Sequence, residues 1–502
     1  MSQSDLSLDP TPILDKLTYI NIGAQGRLTG KLQTTAADID KILHHIKEDS
    51  IQKIVLHFHG GLVSEEAGEL TARRMVPLYQ SAKAHPVVFI WETGFLETIE
   101  HNFSDIHNTK LFKKILAYAV QQLAKRLNIP VLSRGPGQRE DVNVIEARIF
   151  APGGLQGYVA RQFDDQARGG AASLTPENVD AMQEQAQAEV EEQLQAELIE
   201  DETLKTVLEK EVPRTALLNP KAVAESKVEA ARGIISIAKL AYSISMVVYR
   251  TAKRFLGHRD HGFGATAVEE ILREFYMADF GAWVWSGMKE AAEEMWSSNV
   301  ALSGKQLHGG RYFLEGIAAA QKERPSLVID LVGHSAGSIA ICMMLRSAAS
   351  NQLPIRIRNL ILMAPACTSS LLHDEVVNHP DRFQQFRMFT MNDDFEKANQ
   401  LFSIVYDRSL LYLISGILEP DEVDMPIAGM LRFDAGTDPF TSPMLTKVRQ
   451  FLLAAGSPQK TVQARTTVTD PNAKPGFRSN AARHQDFNSD ADTQESLVTL
   501  IK

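Results

Sequence analysis

Cysteine is scarce in this chain: Cys342 and Cys367 are the only two in 502 residues, and each lies in an apolar stretch. That excludes a disulfide framework, and no cysteine pair has the spacing of metal ligands. So little cysteine suits a reducing compartment, and a cytoplasmic protein is expected. Long hydrophobic runs are missing too. The longest, Gly233 to Tyr249, is interrupted by Lys239 and is too short and polar for a membrane span. The stretch Met1 to Lys16 is polar and acidic without an apolar segment, so no secretory signal is expected. Nor is there an excess of positive charge. The formal net charge is −10, and the 12 acidic residues against two lysines between Glu177 and Glu211 equal it by themselves. Such a balance gives no electrostatic footprint for nucleic acid, and no nucleic-acid partner is expected.

What is present is an ordinary globular composition, 44% hydrophobic and 23% charged, in a chain long enough for a large core. Residues 17–100 alternate strand and helix signals. Leu17–Ile22 and Arg27–Gln33 read as short strands, followed by a helix from about Thr35 to Asp49. The apolar run Ile51–Phe58 ends in His59-Gly60-Gly61, and Ser64 then caps a helix reaching about Ala84. Pro86 sets the start of another run, Val87–Trp91. From about Phe95 to Leu307 the patterning is mainly helical. It includes an N-cap and N1 proline at Thr175-Pro176 and a long apolar helix, Ala230–Leu256, with a narrow polar stripe.

Alternation resumes near Arg311. A helix to about Arg324 precedes the apolar run Leu327–Val332, and a helix Ala336–Ala349 follows it. Ile357–Met363, Phe386–Met391 and Thr461–Thr467 read as further strands, and Thr493–Ile501 as a closing helix. Strands alternating with helices predict an α/β fold with a mostly parallel sheet covered on both faces. The predicted division is a discontinuous core, residues 1–100 and 310–502, interrupted by a helical insertion at 101–309. An insertion of about 200 residues far exceeds an ordinary loop.

The strongest chemical signal is Gly333-His334-Ser335-Ala336-Gly337, directly after LVIDLV and before an apolar helix. A serine at the apex of a sharp strand-to-helix turn is held in a strained backbone conformation, and small residues two before and two after it let neighbouring backbones approach. Average glycine usage alone would place G-x-S-x-G in roughly one chain in ten of this length, so the flanking strand and helix carry the weight. The helix N-terminus behind the serine adds partial positive charge.

Here the chain resembles the α/β-hydrolase family over about residues 17–100 and 310–502, most closely bacterial members without an assigned substrate. The resemblance implies an α/β-hydrolase core with a large helical lid or cap. It also implies a triad in the chain order nucleophile, acid, histidine. Those positions fall on Ser335, on Asp393 or its neighbour Asp394 after the run FRMFTM, and on His484 in Arg483-His484-Gln485-Asp486-Phe487. Asp393 is preferred because it lies closer to the strand end. The imidazole would take the serine proton, and the carboxylate would fix its tautomer. The family's oxyanion donors map to the N–H of Ala336 and to the loop carrying Gly60 and Gly61.

These readings point to a serine hydrolase cleaving a small-molecule or lipid ester through an acyl-enzyme. It would need no metal and no organic cofactor. His57 and His59 alternate on one strand, but no third ligand is near them in sequence. The aromatics of Gly262–Trp296 read either as a pocket wall or as the core of the insertion. The basic end of the 230–259 helix, with Arg250, Lys253, Arg254, His258 and Arg259, is compatible with peripheral contact to an anionic membrane or with a solvated helix end. Two further readings stay open: a scaffold on the same fold that binds a partner through its insertion, and a membrane-associated lipase.

Overall fold

The computed structural model describes residues 14–61, 64–91, 106, 109–126, 141–150, 183–211, 237–276, 278–400, 406–419, 422–453 and 462–502. Seven strands carry the fold: β1 (Tyr19–Ile22), β2 (Lys53–Phe58), β3 (His85–Trp91), β4 (Val328–His334), β5 (Ile357–Met363), β6 (Phe383–Met391) and β7 (Val462–Thr467). All neighbouring pairs are parallel, in the spatial order β1-β3-β2-β4-β5-β6-β7. Most strand positions are buried on both faces, which is why these segments read as continuous apolar runs rather than alternating ones.

The principal helices are α1 (Ala36–Ile46), α2 (Glu65–Ser81), α3 (Lys110–Arg126), α4 (Val142–Ile149), α5 (Gln183–Glu200), α6 (Glu202–Glu211), α7 (Ile237–Leu256), α8 (Phe263–Phe275), α9 (Ala278–Glu294), α10 (Gly309–Glu323), α11 (Gly337–Ser350), α12 (Asp393–Ala398), α13 (Pro443–Leu453) and α14 (Ala491–Ile501). Local chemistry starts several of them. Thr35 and Asp38 form a capping box at α1, Ser64 Oγ accepts from Ala67 N at α2, and Asp490 accepts from Thr493 N at α14.

One face of the sheet packs against α2 and α14: Val55, Val332, Ile361, Met363 and Phe389 meet Met75, Tyr79, Leu497 and Ile501. The other face packs under α1, α10 and α11. There Phe58 stacks on Phe89 at 4.5 Å, and Trp296 lies against both rings. Between β3 and β4 the described residues form helices and no sheet strand, and α7 packs along α3, α5 and α8. The buried side chains of these helices belong to the same apolar cluster as the second sheet face. Thr175, Pro176 and the first residues of the predicted Ala230–Leu256 helix lie outside the described residues.

Arg27–Gln33 corrects the strand expected there. Two of its backbone donors go to side chains from elsewhere, Lys31 N to Glu65 Oε2 (2.7 Å) and Leu32 N to Asn21 Oδ1 (2.8 Å), and Leu28 N goes to Leu307 O (3.1 Å). Gln25 and Gln33 adopt positive φ, so the segment folds into turns with only an isolated bridge, Arg27 to His308.

The strand order creates a crevice. From β2 the chain crosses to β3 on one side, and from β4 it crosses to β5 on the other. Loops leaving β2 and β4 therefore diverge at the C-terminal edge, and such a switch point is where open α/β sheets bind ligands. His59-Gly60-Gly61 and Ser335 follow those two strands.

Candidate active site

Ser335 sits between β4 and α11 with φ of +52°, a left-handed conformation rare for a residue with a side chain. The strain is held by bonds on both sides. Ser335 N donates to Met363 O (2.9 Å), while its carbonyl accepts from Ala366 N (3.1 Å) and Ser338 Oγ (2.6 Å). The flanking glycines are required by contact. A methyl on Gly337 would stand 2.2 Å from Phe58 O, and one on Gly333 2.8 Å from Ile341 Cδ1. The pentapeptide therefore forms the sharp turn its sequence implied.

The glycine loop after β2 lies directly against this turn. A methyl on Gly60 would stand 3.3 Å from Ser335 Cβ, and one on Gly61 2.6 Å from Ala336 Cβ. Among the described residues, neither the Gly61 N–H nor the Ala336 N–H has an acceptor. The structure thus brings Gly60, Gly61, Ser335 and Ala336 together.

His59, which opens the His59-Gly60-Gly61 loop, is held by two hydrogen bonds. Its Nε2 accepts from Trp91 N (3.2 Å), so the proton is on Nδ1 and is donated to Gly60 O (2.7 Å). In a trans peptide, holding the Gly60 carbonyl toward His59 turns the Gly61 N–H the opposite way. Burial pushes His59 down to about 4, so it remains neutral. His57 instead bonds Tyr79 Oη through Nδ1 (2.8 Å). Among the described residues there is no group of side chains able to hold a metal.

His484 lies in the loop between β7 and α14 and is only 4% exposed. It joins the elbow through His334, whose Nε2 is 2.9 Å from His484 O, with the two rings 5.2 Å apart. Burial, with His334 beside it, pushes His484 down to about 3. Both of its ring nitrogens are buried and unpartnered among the described residues.

The expected acid is not joined to that histidine. Asn392 caps α12 through Phe395 N, which puts Asp393 in the first helical turn. There Asp393 Oδ1 accepts from Tyr412 Oη (2.6 Å) and Oδ2 pairs with Lys397 Nζ (2.7 Å). Burial would raise its carboxyl, but Lys397 and the Tyr412 hydroxyl outweigh that and hold it below the usual range. Asp394 is exposed. Strand-end position, the basis for choosing Asp393, locates a residue's backbone but not the partner its side chain takes.

A carboxyl that sequence reasoning did not single out is Glu396. It is buried, accepts from Ser409 Oγ and keeps Oε1 unpartnered. Burial, then the nearby Asp393, push it up to about 8, so it is protonated at neutral pH.

The helical segment meets the elbow through α9. Met288 Sδ would lie 3.1 Å from a methyl on Gly61, and Trp296 Nε1 donates to Ala340 O on α11 (3.1 Å). Phe263, Phe275, Tyr276, Trp285 and Trp296 are all buried, as core residues are, while the side chains of Phe280 and Trp283 lie outside the described residues. At the basic end of α7, Arg250 pairs with Glu274, Arg254 with Glu269 and Glu270, and Arg259 with Glu422. Those three cations are thus engaged within the chain. Among the described residues no helix is long and apolar enough to cross a membrane.

No protein-family model matches the chain, and no curated protein and no solved structure matches it either.

Proposed function

We propose that this chain is a serine hydrolase of the α/β-hydrolase type that cleaves carboxylic esters through an acyl-enzyme. The observation that carries the reading is the left-handed Ser335 packed against the Gly60-Gly61 loop, with N–H groups on Gly61 and Ala336 that no acceptor among the described residues takes. Supporting it, the nucleophile, acid and histidine positions follow β4, β6 and β7 at one edge of a parallel sheet. On this reading residues 1–100 and 310–502 form the hydrolase core and 101–309 its cap.

Ser335 Oγ attacks the ester carbonyl while His484, neutral through burial, receives the proton. The Gly61 and Ala336 N–H groups stabilise the oxyanion. The imidazolium then protonates the leaving alcohol, and water, deprotonated by the same ring, releases the acid. Asp393 serves this chemistry only after exchanging Tyr412 and Lys397 for the imidazole, a rearrangement the proposal requires if the acid is to act. An apolar acyl group is the favoured substrate because the cap presents Met288 and a largely apolar interior to the elbow. Two free, buried cysteines suit a cytoplasmic location.

The test is hydrolysis of a series of p-nitrophenyl esters of increasing acyl length, beside labelling by a fluorophosphonate, on wild type and Ser335→Ala. Turnover that varies with chain length, with turnover and label both lost in the variant, supports the reading. A flat response independent of Ser335 removes it.

The unpartnered imidazole of His484 specifically favours a second reading, in which the fold is a scaffold that binds a partner through its helical segment. Absence of fluorophosphonate labelling in folded wild type would select that alternative.

A further inference from the structure

Hydrogen bonding fixes the state of His334 without recourse to the reaction. The His484 carbonyl can only accept, so the His334 nitrogen 2.9 Å away, Nε2, must carry a proton. A neutral imidazole has one N–H, which leaves Nδ1 as an acceptor. Asn488 Nδ2 lies 3.2 Å from Nδ1 and is the donor that position needs. His334 is buried, and burial pushes it down to about 4, so the neutral form holds at ordinary pH. Two side chains and a backbone carbonyl form a directed chain: Asn488 amide to His334 Nδ1, then His334 Nε2–H to His484 O. The His334 ring also lies 6.2 Å from that of Phe487.

This chain matters because the imidazole of His484 has no other anchor among the described residues. Neither of its nitrogens is bonded, and Asp393 is engaged elsewhere. A buried ring with no side-chain tether takes its position from its backbone, and the backbone of His484 is held by the residue immediately before the nucleophile. One covalent step therefore separates the serine from the group that holds its base.

We infer that His334 is a positioning residue for the proposed reaction, setting the place of His484 relative to Ser335 through a backbone hydrogen bond whose direction Asn488 imposes. The inference rests on the hydrolase reading but is separable from it. His334 touches neither substrate nor the proton in transit. Removing its donor should loosen the base while leaving substrate contacts alone, so turnover should fall and KM should not rise.

The experiment compares wild type, His334→Leu, His334→Met and His334→Gln for fluorophosphonate labelling rate and for kcat and KM on p-nitrophenyl butanoate. Circular dichroism and thermal melts confirm folding. Leu and Met fill space without a donor, whereas the Gln amide places an N–H near the Nε2 position. A misplaced catalytic group costs on the order of 100-fold per ångström, so Leu and Met should lower kcat and labelling about 10- to 100-fold at unchanged KM. Gln should recover most of that loss. Folded Leu and Met variants that label at the wild-type rate overturn the inference and leave the hydrolase reading standing. A wild type that does not label overturns both.

If the apolar variants do not fold, nitrogen-15 shifts of histidine-labelled wild type decide instead. A His334 spectrum with the proton on Nε2 at pH 7 is expected, and a proton on Nδ1 or a doubly protonated ring refutes the scheme.

Discussion

Gly61 and Ala336 face each other across the sheet edge so closely that a methyl on the first would stand 2.6 Å from Cβ of the second. No real side-chain carbon tolerates that separation, so Gly61→Ala must push the β2 loop away from the elbow. One of the two proposed oxyanion donors would then leave its position. Loss of a single such donor typically lowers turnover by about 10² to 10³. Ester hydrolysis by Gly61→Ala is expected to fall within that range in kcat, measured by initial rates at saturating substrate. Wild-type kcat in a folded variant would remove this loop from the oxyanion site.

Backbone strain at Ser335, the proposed nucleophile, gives a second expectation. A residue with a β-carbon at φ +52° is destabilised by about 1–2 kcal/mol relative to glycine in the same conformation. Ser335→Gly and Ser335→Ala should both lack activity, but the glycine variant should be the more stable by about 1 kcal/mol after its larger unfolded-state entropy is counted. Urea denaturation of the pair measures this directly. Equal midpoints would mean that the turn is relaxed.

The pH dependence of stability follows from four buried imidazoles. His57 and His484 are pushed down to about 3, and His59 and His334 to about 4, with burial as the largest cause for each. An unfolded chain binds those protons near pH 6.5, before the folded one does. The imidazoles' share of the stability is therefore whole above about pH 6.5 and falls as the pH drops toward 4, each site contributing on the order of a few kcal/mol, against a smaller opposite contribution from the raised carboxyl of Glu396. Urea midpoints at pH 7.5, 5.5 and 4.5 should decline in that order. A flat profile would show that these rings are accessible to protons in the folded state.

The contact between α8 and the later segment is ionic and buried. His261 bridges Glu269 and Asp424 at 2.8 Å each, Tyr406 Oη donates to Glu269, and Arg254 meets Glu269 (2.7 Å) and Glu270 (3.0 Å). Arg254→Met would leave Glu269 with only His261 and Tyr406 and Glu270 with only Arg273, and removing one partner of a buried ion pair costs up to about 3–5 kcal/mol. A drop of that size in unfolding free energy is expected. An unchanged unfolding free energy in Arg254→Met would show that His261, Tyr406 and Arg273 satisfy the two carboxylates without it.

The parts readable in advance were those governed by neighbours in sequence. Ile357–Met363 is β5 to the residue, because its apolar run is bounded on both sides. Ser64 caps the helix expected of it, since a cap needs only the next three residues, and Thr35, read as the approximate helix start, is the cap of α1. Arg27–Gln33 was misread because Asn21 and Glu65, one of them more than 30 residues away, take its backbone donors. At the site, Ser335, Ala336, Gly60 and Gly61 come together as anticipated, each constrained by local turn geometry. The orienting roles of His59 and His334 depend on tautomers, which are set by Trp91 and Asn488 from other parts of the chain. Asp393 shows the same limit, with Tyr412 as its partner 19 residues on.

The sulfur of Met288 occupies the space that Gly61, lacking a side chain, leaves vacant. Helix α9, tied elsewhere by Trp285 and Lys289 to Glu419, thus touches the proposed reactive edge at that one peptide unit. A tilt of that helix by an ångström would either press on the peptide or lift away from it. Changes on the remote side of α9 should consequently register in the speed of the reaction sooner than in the grip on its substrate.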